Sequence, residues 1–292
     1  MRTICFRNIS FVIVLCIAVA SFSSCTVLQY RASDAKIITQ YQEKGITTEF
    51  TYFKIDSLDS TLRMQKVERE GNTKSIVFIH GSPSSSLAWM DFLPDTTLIK
   101  KANLYAIDRP GYGYSDFGDE MPSIKLQSLL ISEFLNDLDL KNVILVGSSY
   151  GGPIAARIAY LNDNIDGVIM ISAAIDPTIE NDIWASRFTQ WKLTRWLVPT
   201  GYRVAGDEKA VHAAELETLE ADWVQVNIPI LHLHGDADDI VPVENLQYTD
   251  NAFAKAETKV FPNAGHELAW KDAQIIKDEI LLFFETVYNE NE

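Results

Sequence analysis

Cysteine is nearly absent from this chain of 292 residues: it holds three, all within the first 25 positions. From residue 26 onward no disulfide and no thiolate metal cluster can form. Histidine is scarce too, five in all, so chemistry that needs an imidazole has few candidates. Cations are outnumbered, 25 Lys and Arg against 40 Asp and Glu, for a net charge of −15. A surface of that sign opposes polyanions, and no nucleic-acid partner is expected. No repeat or low-complexity tract is visible, and no apolar run reaches the length of about 18 residues that a spanning helix needs.

What the N-terminus does have is an address. Arg2 and Arg7 flank a short basic segment, residues 9–20 are apolar, and Ser21-Phe22-Ser23-Ser24 leads into Cys25. This resembles a bacterial lipoprotein signal, with Phe22 where an aliphatic residue is usual. The resemblance implies removal of residues 1–24, a lipid on Cys25, a tether over 25–45 and a bacterial cell-envelope location, with the domain in the periplasm or outside.

The centre of the chain carries its most informative motif. Gly147-Ser148-Ser149-Tyr150-Gly151 follows the apolar run Val143-Ile144-Leu145-Val146 and opens an apolar stretch from Gly152 to Ala159. Strand, G-x-S-x-G and helix in that order lift a serine hydroxyl out on a tight turn, where a Cβ at either glycine would clash. Ser149 is the candidate nucleophile. A serine needs a base, the base an orienting acid, and the developing oxyanion backbone donors.

Each partner can be sought along the chain. His266 lies in the loop Asn263-Ala264-Gly265-His266-Glu267, where packing gives no reason for a histidine, and it is the candidate base. His80 ends an apolar strand and reads as a loop brace, His212 as a surface residue of an acidic helix. For the acid, Gly235-Asp236-Ala237-Asp238-Asp239 offers three aspartates past the apolar strand that ends in His232 and His234, and Asp238 is selected. Asp176, past the preceding strand, is the competitor. His232-x-His234-x-Asp236 has the spacing of a metal site but too few further ligands, so neither metal nor cofactor is expected.

The order Ser149, Asp238, His266 is that of the α/β-hydrolases, which the chain resembles over nearly all of its length after the leader. Gly235, Asp238, Val241 and Pro242 match that superfamily's acid loop, Gly265-His266 its terminal G-H, and His80-Gly81-Ser82-Pro83 its oxyanion loop. The resemblance implies oxyanion donors at the backbone N–H groups of Ser82 and Tyr150, and a structural loop at residues 108–115. Haloalkane dehalogenases and epoxide hydrolases carry aspartate at the elbow. Serine there implies acyl transfer instead.

Periodicity sets out the rest. An antiparallel pair is expected at 46–55 and 61–69, with strands near 75–80, 102–107, 142–147, 167–173, 229–234 and 257–261 and helices between them. The fold class is α/β: a mostly parallel eight-stranded α/β-hydrolase sheet, helices on both faces, and a core over 46–176 and 226–292. Residues 177–225 break the alternation and read as a short helical lid with Trp184, Trp191, Trp196 and Trp223, one or two of them lining a pocket. Trp89 and Tyr150 are expected on the same walls.

Within the lid, residues 207–222 hold six acids. They predict a solvated amphipathic helix with Val211, Ala214 and Leu219 inward; the alternative turns Glu208 or Glu215 into the cleft, to meet a substrate ammonium. The chain thus reads as a carboxylesterase-like serine hydrolase acting on a small-molecule ester or amide. Prolyl aminopeptidase-like, carbon–carbon hydrolase and perhydrolase activities use the same triad. A non-catalytic binding protein on the same fold is the alternative from another class.

Overall fold

The computed structural model describes residues 30–181 and 186–289. Eight strands form one sheet: β1 (Glu49–Ile55), β2 (Ser60–Val67), β3 (Ser75–Ile79), β4 (Asn103–Asp108), β5 (Val143–Ser148), β6 (Ile165–Ile171), β7 (Ile230–Gly235) and β8 (Ala256–Phe261). Their order is β1-β2-β4-β3-β5-β6-β7-β8. β2 pairs antiparallel with β1 and with β4, and the remaining neighbours are parallel. The sheet is the mostly parallel one expected from the sequence.

The longer helices are α1 (Asp34–Glu43), α2 (Ile124–Asp137), α3 (Gly151–Leu161), α4 (Thr200–Glu217), α5 (Asn245–Ala252) and α6 (Ala273–Asn289). Strand side chains alternate between faces, so Val77 and Ile79 point to one side of β3 and Ile76 and Phe78 to the other. On the first side they meet Ile131 and Phe134 of α2 and Ile154 and Ile158 of α3. On the second they meet Ile37 and Tyr41 of α1 and Ile276, Ile280 and Phe284 of α6. Being covered on both faces is why β3 and β5 are unbroken apolar runs.

The expected tether over 25–45 needs correction. Its residues 34–43 are α1, started by Ser33, whose hydroxyl accepts from the Lys36 N–H at 3.4 Å. Ile37 and Tyr41, one turn apart, are buried against the sheet; burial of such side chains stabilises by about 2 kcal/mol each. Arg63 of β2 fastens the helix further, donating to Asp34 at 2.7 Å and to the buried Asp108 at 2.8 Å. Cys25 and the leader lie outside the described residues, as does Trp184. No helix among the described residues is long and apolar enough to cross a membrane.

Candidate active site

Ser149 stands directly after β5 with φ +51°, a left-handed conformation uncommon for a residue with a Cβ. The turn is held by the Ser149 N–H donating to the Ile171 carbonyl at 2.9 Å. A Cβ on Gly147 would land on the Gly151 carbonyl, and one on Gly151 on the carbonyl ending β3, so the elbow closes only with glycine at both positions. Helix α3 begins at Gly151 and directs its positive end toward Ser149.

The three sequence-predicted residues meet here. The Ser149 hydroxyl lies 3.2 Å from His266 Nε2, and His266 Nδ1 lies 2.9 Å from Asp238 Oδ2. Each comes from a loop at the carboxyl end of a parallel strand, β5, β7 and β8, so distant segments converge on one sheet edge. Asp236 ties the acid and histidine loops together, accepting from the Asn263 N–H at 2.6 Å.

The Asp238 side chain is fully buried. Burial alone would raise its pKa, but the hydrogen bonds of His234 and His266, the charge of His266 and the Val241 N–H outweigh it and hold the carboxyl far below its ordinary range. Its Oδ1 accepts from the N–H groups of Ile240 and Val241, at 3.0 and 2.8 Å. The acid is thus kept ionised and aimed at the imidazole. Asp176 lines the cavity, but its carboxylate accepts from Thr178 N–H and Oγ1–H at 2.8 and 2.7 Å, in a local turn.

The loop after β3 closes over the elbow, close enough that a Cβ on Gly81 would stand 2.9 Å from the Ser149 Cβ. Among the described residues, neither the Ser82 nor the Tyr150 backbone N–H donates to a protein acceptor. The loop is fixed from behind by Arg109, whose guanidinium donates to the carbonyls of His80 at 2.8 Å and Gly81 at 3.0 Å and to Ser82 Oγ at 2.6 Å. His80 Nε2 accepts from the Arg109 N–H at 3.0 Å, and burial together with the Arg109 charge pushes its pKa well below the usual range. A brace, not a base, is the place this geometry gives His80.

Glu208 of α4 neutralises Arg109 at 2.5 Å, with both side chains buried. It also accepts from Tyr112 at 2.7 Å and Gln127 at 2.9 Å, and from the Ser82 hydroxyl. Glu215 is used elsewhere: it accepts from the Ser123 hydroxyl at 2.9 Å, at the start of α2. Neither carboxylate waits for a substrate ammonium, and the face of α4 turned inward carries Val204, Glu208, His212 and Leu216 rather than Val211 and Ala214. His212, read as a surface residue, is buried, stacks near Tyr150 with ring centroids 4.9 Å apart, and bonds Glu180 beside Lys209. The four-residue spacing of 204, 208, 212 and 216 was the available signal, masked by two polar members.

A cavity of about 770 Å³ opens from Ser149 and His266 under the lid. Its walls are largely apolar, with Pro83, Ile179, Phe188, Leu197, Val198 and Tyr202 prominent, and Tyr150 contributes as expected. Trp89 does not. It is fully buried on the far side of β3, its ring 4.9 Å from Phe78 and 5.3 Å from Phe92. Nor do the described lid tryptophans line the cavity: Trp223 packs on Phe253 in the core, while Trp191 and Trp196 are each 58% exposed. His232 Nδ1 is 2.8 Å from Thr249 Oγ1 and its Nε2 accepts from the Ala173 N–H at 3.2 Å, while His234 Nε2 faces the Val241 carbonyl at 3.0 Å.

Residues 76–276 match the model of the alpha/beta hydrolase family. The chain belongs to that family. It is 24% identical over 240 residues to a non-heme chloroperoxidase of Kitasatospora aureofaciens, covering 68% of this chain and 87% of the relative. Among solved structures it is similar to an esterase of Exiguobacterium antarcticum, at TM-score 0.65 and 19% identity over 80% of this chain and 99% of the other. It is also similar to a bacterial membrane phospholipase A, at TM-score 0.69 and 18% identity over 97% of this chain and 99% of the other. Structural likeness at these identities establishes the fold; the chemistry must be argued from the site.

Proposed function

We propose that this α/β hydrolase cleaves carboxylic esters with small or medium acyl groups through an acyl-enzyme on Ser149. The observation that carries the reading is the continuous line Ser149 Oγ, His266, Asp238 beside the two free-facing N–H groups. Ser149 Oγ attacks the ester carbonyl while His266 Nε2 takes its proton, and Asp238 holds the imidazole in the tautomer with Nδ1–H and stabilises the imidazolium. The N–H groups of Ser82 and Tyr150 receive the oxyanion; a donor of this kind contributes about 10²- to 10³-fold in rate. Protonated His266 returns the proton to the leaving alcohol. Water then repeats the sequence, and Ser149 is regenerated with release of the acid.

The cavity supports acyl chains of medium length, since about 770 Å³ of mostly apolar space adjoins the serine. Attachment of the chain to a bacterial envelope membrane through a lipid on Cys25 belongs to the same reading. A fluorophosphonate probe, followed by a panel of ester, thioester and aminoacyl-amide substrates on the full chain, tests it. Labelling and turnover are expected for the natural protein. Both should vanish in Ser149→Ala, with turnover down about 10⁴-fold or more in His266→Ala. An unlabelled protein that binds but does not turn over these compounds would identify a receptor, and a free-amine preference an aminopeptidase.

The name of the chloroperoxidase relative favours a second reading, with hydrogen peroxide replacing water at the acyl-enzyme and a peracid leaving. Halide oxidation that requires both peroxide and an acyl donor, and is lost in Ser149→Ala, would support it.

A further inference from the structure

Residues 186–203 of the lid, Ser-Arg-Phe-Thr-Gln-Trp-Lys-Leu-Thr-Arg-Trp-Leu-Val-Pro-Thr-Gly-Tyr-Arg, contain four cations and no acid in a chain whose net charge is −15. The same stretch displays large apolar side chains to solvent: Trp191 and Trp196 are 58% exposed and Leu193 is 86% exposed. They form one patch, with the Phe188 and Trp191 rings 5.8 Å apart and the Trp196 indole N–H donating to the Leu193 carbonyl at 3.0 Å. Arg195 pairs with Asp207 and Glu120, and the Lys192 side chain stands exposed beside the patch.

Two further observations say what covers it. The cavity reaches the surface at the same place, since Phe188, Leu197 and Tyr202 belong to its walls. And the chain arrives there from Cys25: the Tyr30 hydroxyl is 3.1 Å from that of Tyr202, five residues after the cysteine that the proposed function places in the membrane through a lipid.

We propose that this lid patch docks on the surface of a lipid bilayer and sets the cavity mouth against it, so that acyl esters enter from the lipid. Tryptophan with leucine and flanking basic residues is the composition that lies in the boundary between headgroups and acyl chains. The overall negative charge does not prevent this, because at physiological ionic strength charges more than about 8 Å from the contact are largely screened. Docking itself does not depend on the hydrolysis reading; the entry of acyl esters rests on it.

The test uses the full chain in phosphatidylcholine–phosphatidylglycerol vesicles whose acyl chains are brominated, read by tryptophan emission. No tryptophan occurs in residues 1–29, so quenching must come from the folded domain. The expected result is quenching by the brominated lipid that falls at least twofold in Trp191→Phe/Trp196→Phe. In Leu193→Asp, turnover of a long-chain ester held in the vesicles should drop tenfold or more while a short water-soluble ester is cleaved as before. Lid tryptophans that are quenched by aqueous acrylamide but not by the lipid overturn the proposal. So does protection from both quenchers in a protein of dimer mass, which would make a second copy the occupant. If no ester is cleaved at all, quenching still decides the docking, and only the hydrolysis reading falls.

Discussion

Arg109 and Glu208 stand 99 positions apart in sequence, yet the guanidinium and carboxylate meet at 2.5 Å with both side chains buried. One follows the end of β4 and the other belongs to the lid helix, and both hold the loop that carries Ser82: Arg109 donates to the Gly81 carbonyl and to Ser82 Oγ, and Glu208 accepts from the Ser82 hydroxyl. Lid attachment and the shape of the loop over Ser149 therefore share one ion pair.

Removing one partner leaves the other charged and buried. Glu208→Leu should destabilise the protein by about 3–5 kcal/mol in urea unfolding. Arg109→Met/Glu208→Leu, which removes both charges, should regain most of that stability. Its kcat should nevertheless stay at least tenfold down, because the carbonyls of His80 and Gly81 lose their donor. A double variant that recovers turnover along with stability would show the pair to be packing alone.

Asp238→Asn should lower turnover on the order of 10²- to 10⁴-fold by releasing the tautomer of His266. Asp176→Asn should stay within about twofold, since its carboxylate is engaged with Thr178. Steady-state kinetics on one soluble ester separates them, and the reverse ranking would move the acid to Asp176.

His232 supplies a pH signature. Burial, then the neighbouring His234, push its pKa well below the usual value, so the folded state excludes a proton that the unfolded state accepts below about pH 6.5. Its share of stability is whole above that pH and declines as pH falls, by up to about 1.4 kcal/mol per pH unit. Urea unfolding between pH 5 and 7 should therefore show a slope reduced by about one proton in His232→Asn relative to the natural protein. Equal slopes would contradict the buried neutral imidazole.

Expressed in a bacterial host with its own N-terminus, the protein should yield a mature chain beginning at Cys25 with a lipid-sized addition to its intact mass. Cys25→Ser should abolish that addition. A mature mass fitting an unmodified chain that starts elsewhere would refute lipidation while leaving export possible.

The catalytic-type constellation was legible because each member sits at a strand end, where apolar periodicity stops and an unexplained polar residue stands out: Ser149 after Val146, Asp238 after Leu233, His266 after Phe261. The strands were legible for the same reason, since β3 and β5 are apolar on both faces. What stayed hidden was polar burial. Glu208 and His212 occupy the inward face of α4, and a pattern that equates inward with apolar turned that helix by about one position. Trp89 misleads in the opposite sense: a tryptophan near the loop after β3 suggests a pocket wall, but it sits in a short turn beyond that loop and packs on Phe78 and Phe92 on the far face of the sheet. Helix α1 leaves little trace in the sequence, because ten residues with only Ile37 and Tyr41 as deep anchors make a weak amphipathic signal.

Arg63 fastens α1 to the sheet through Asp34 and Asp108, and this fixes the spot at which the chain leaves the folded body. From Tyr30 back to Cys25 is five residues, a leash of at most about 17 Å at full stretch. A protein held at Cys25 could not swing its cavity far from the leaflet; it would patrol that leaflet by lateral diffusion. Its working concentration unit would then be molecules per area of membrane, and its preference among esters would be weighted by how each partitions into lipid as much as by how each fits beside Ser149.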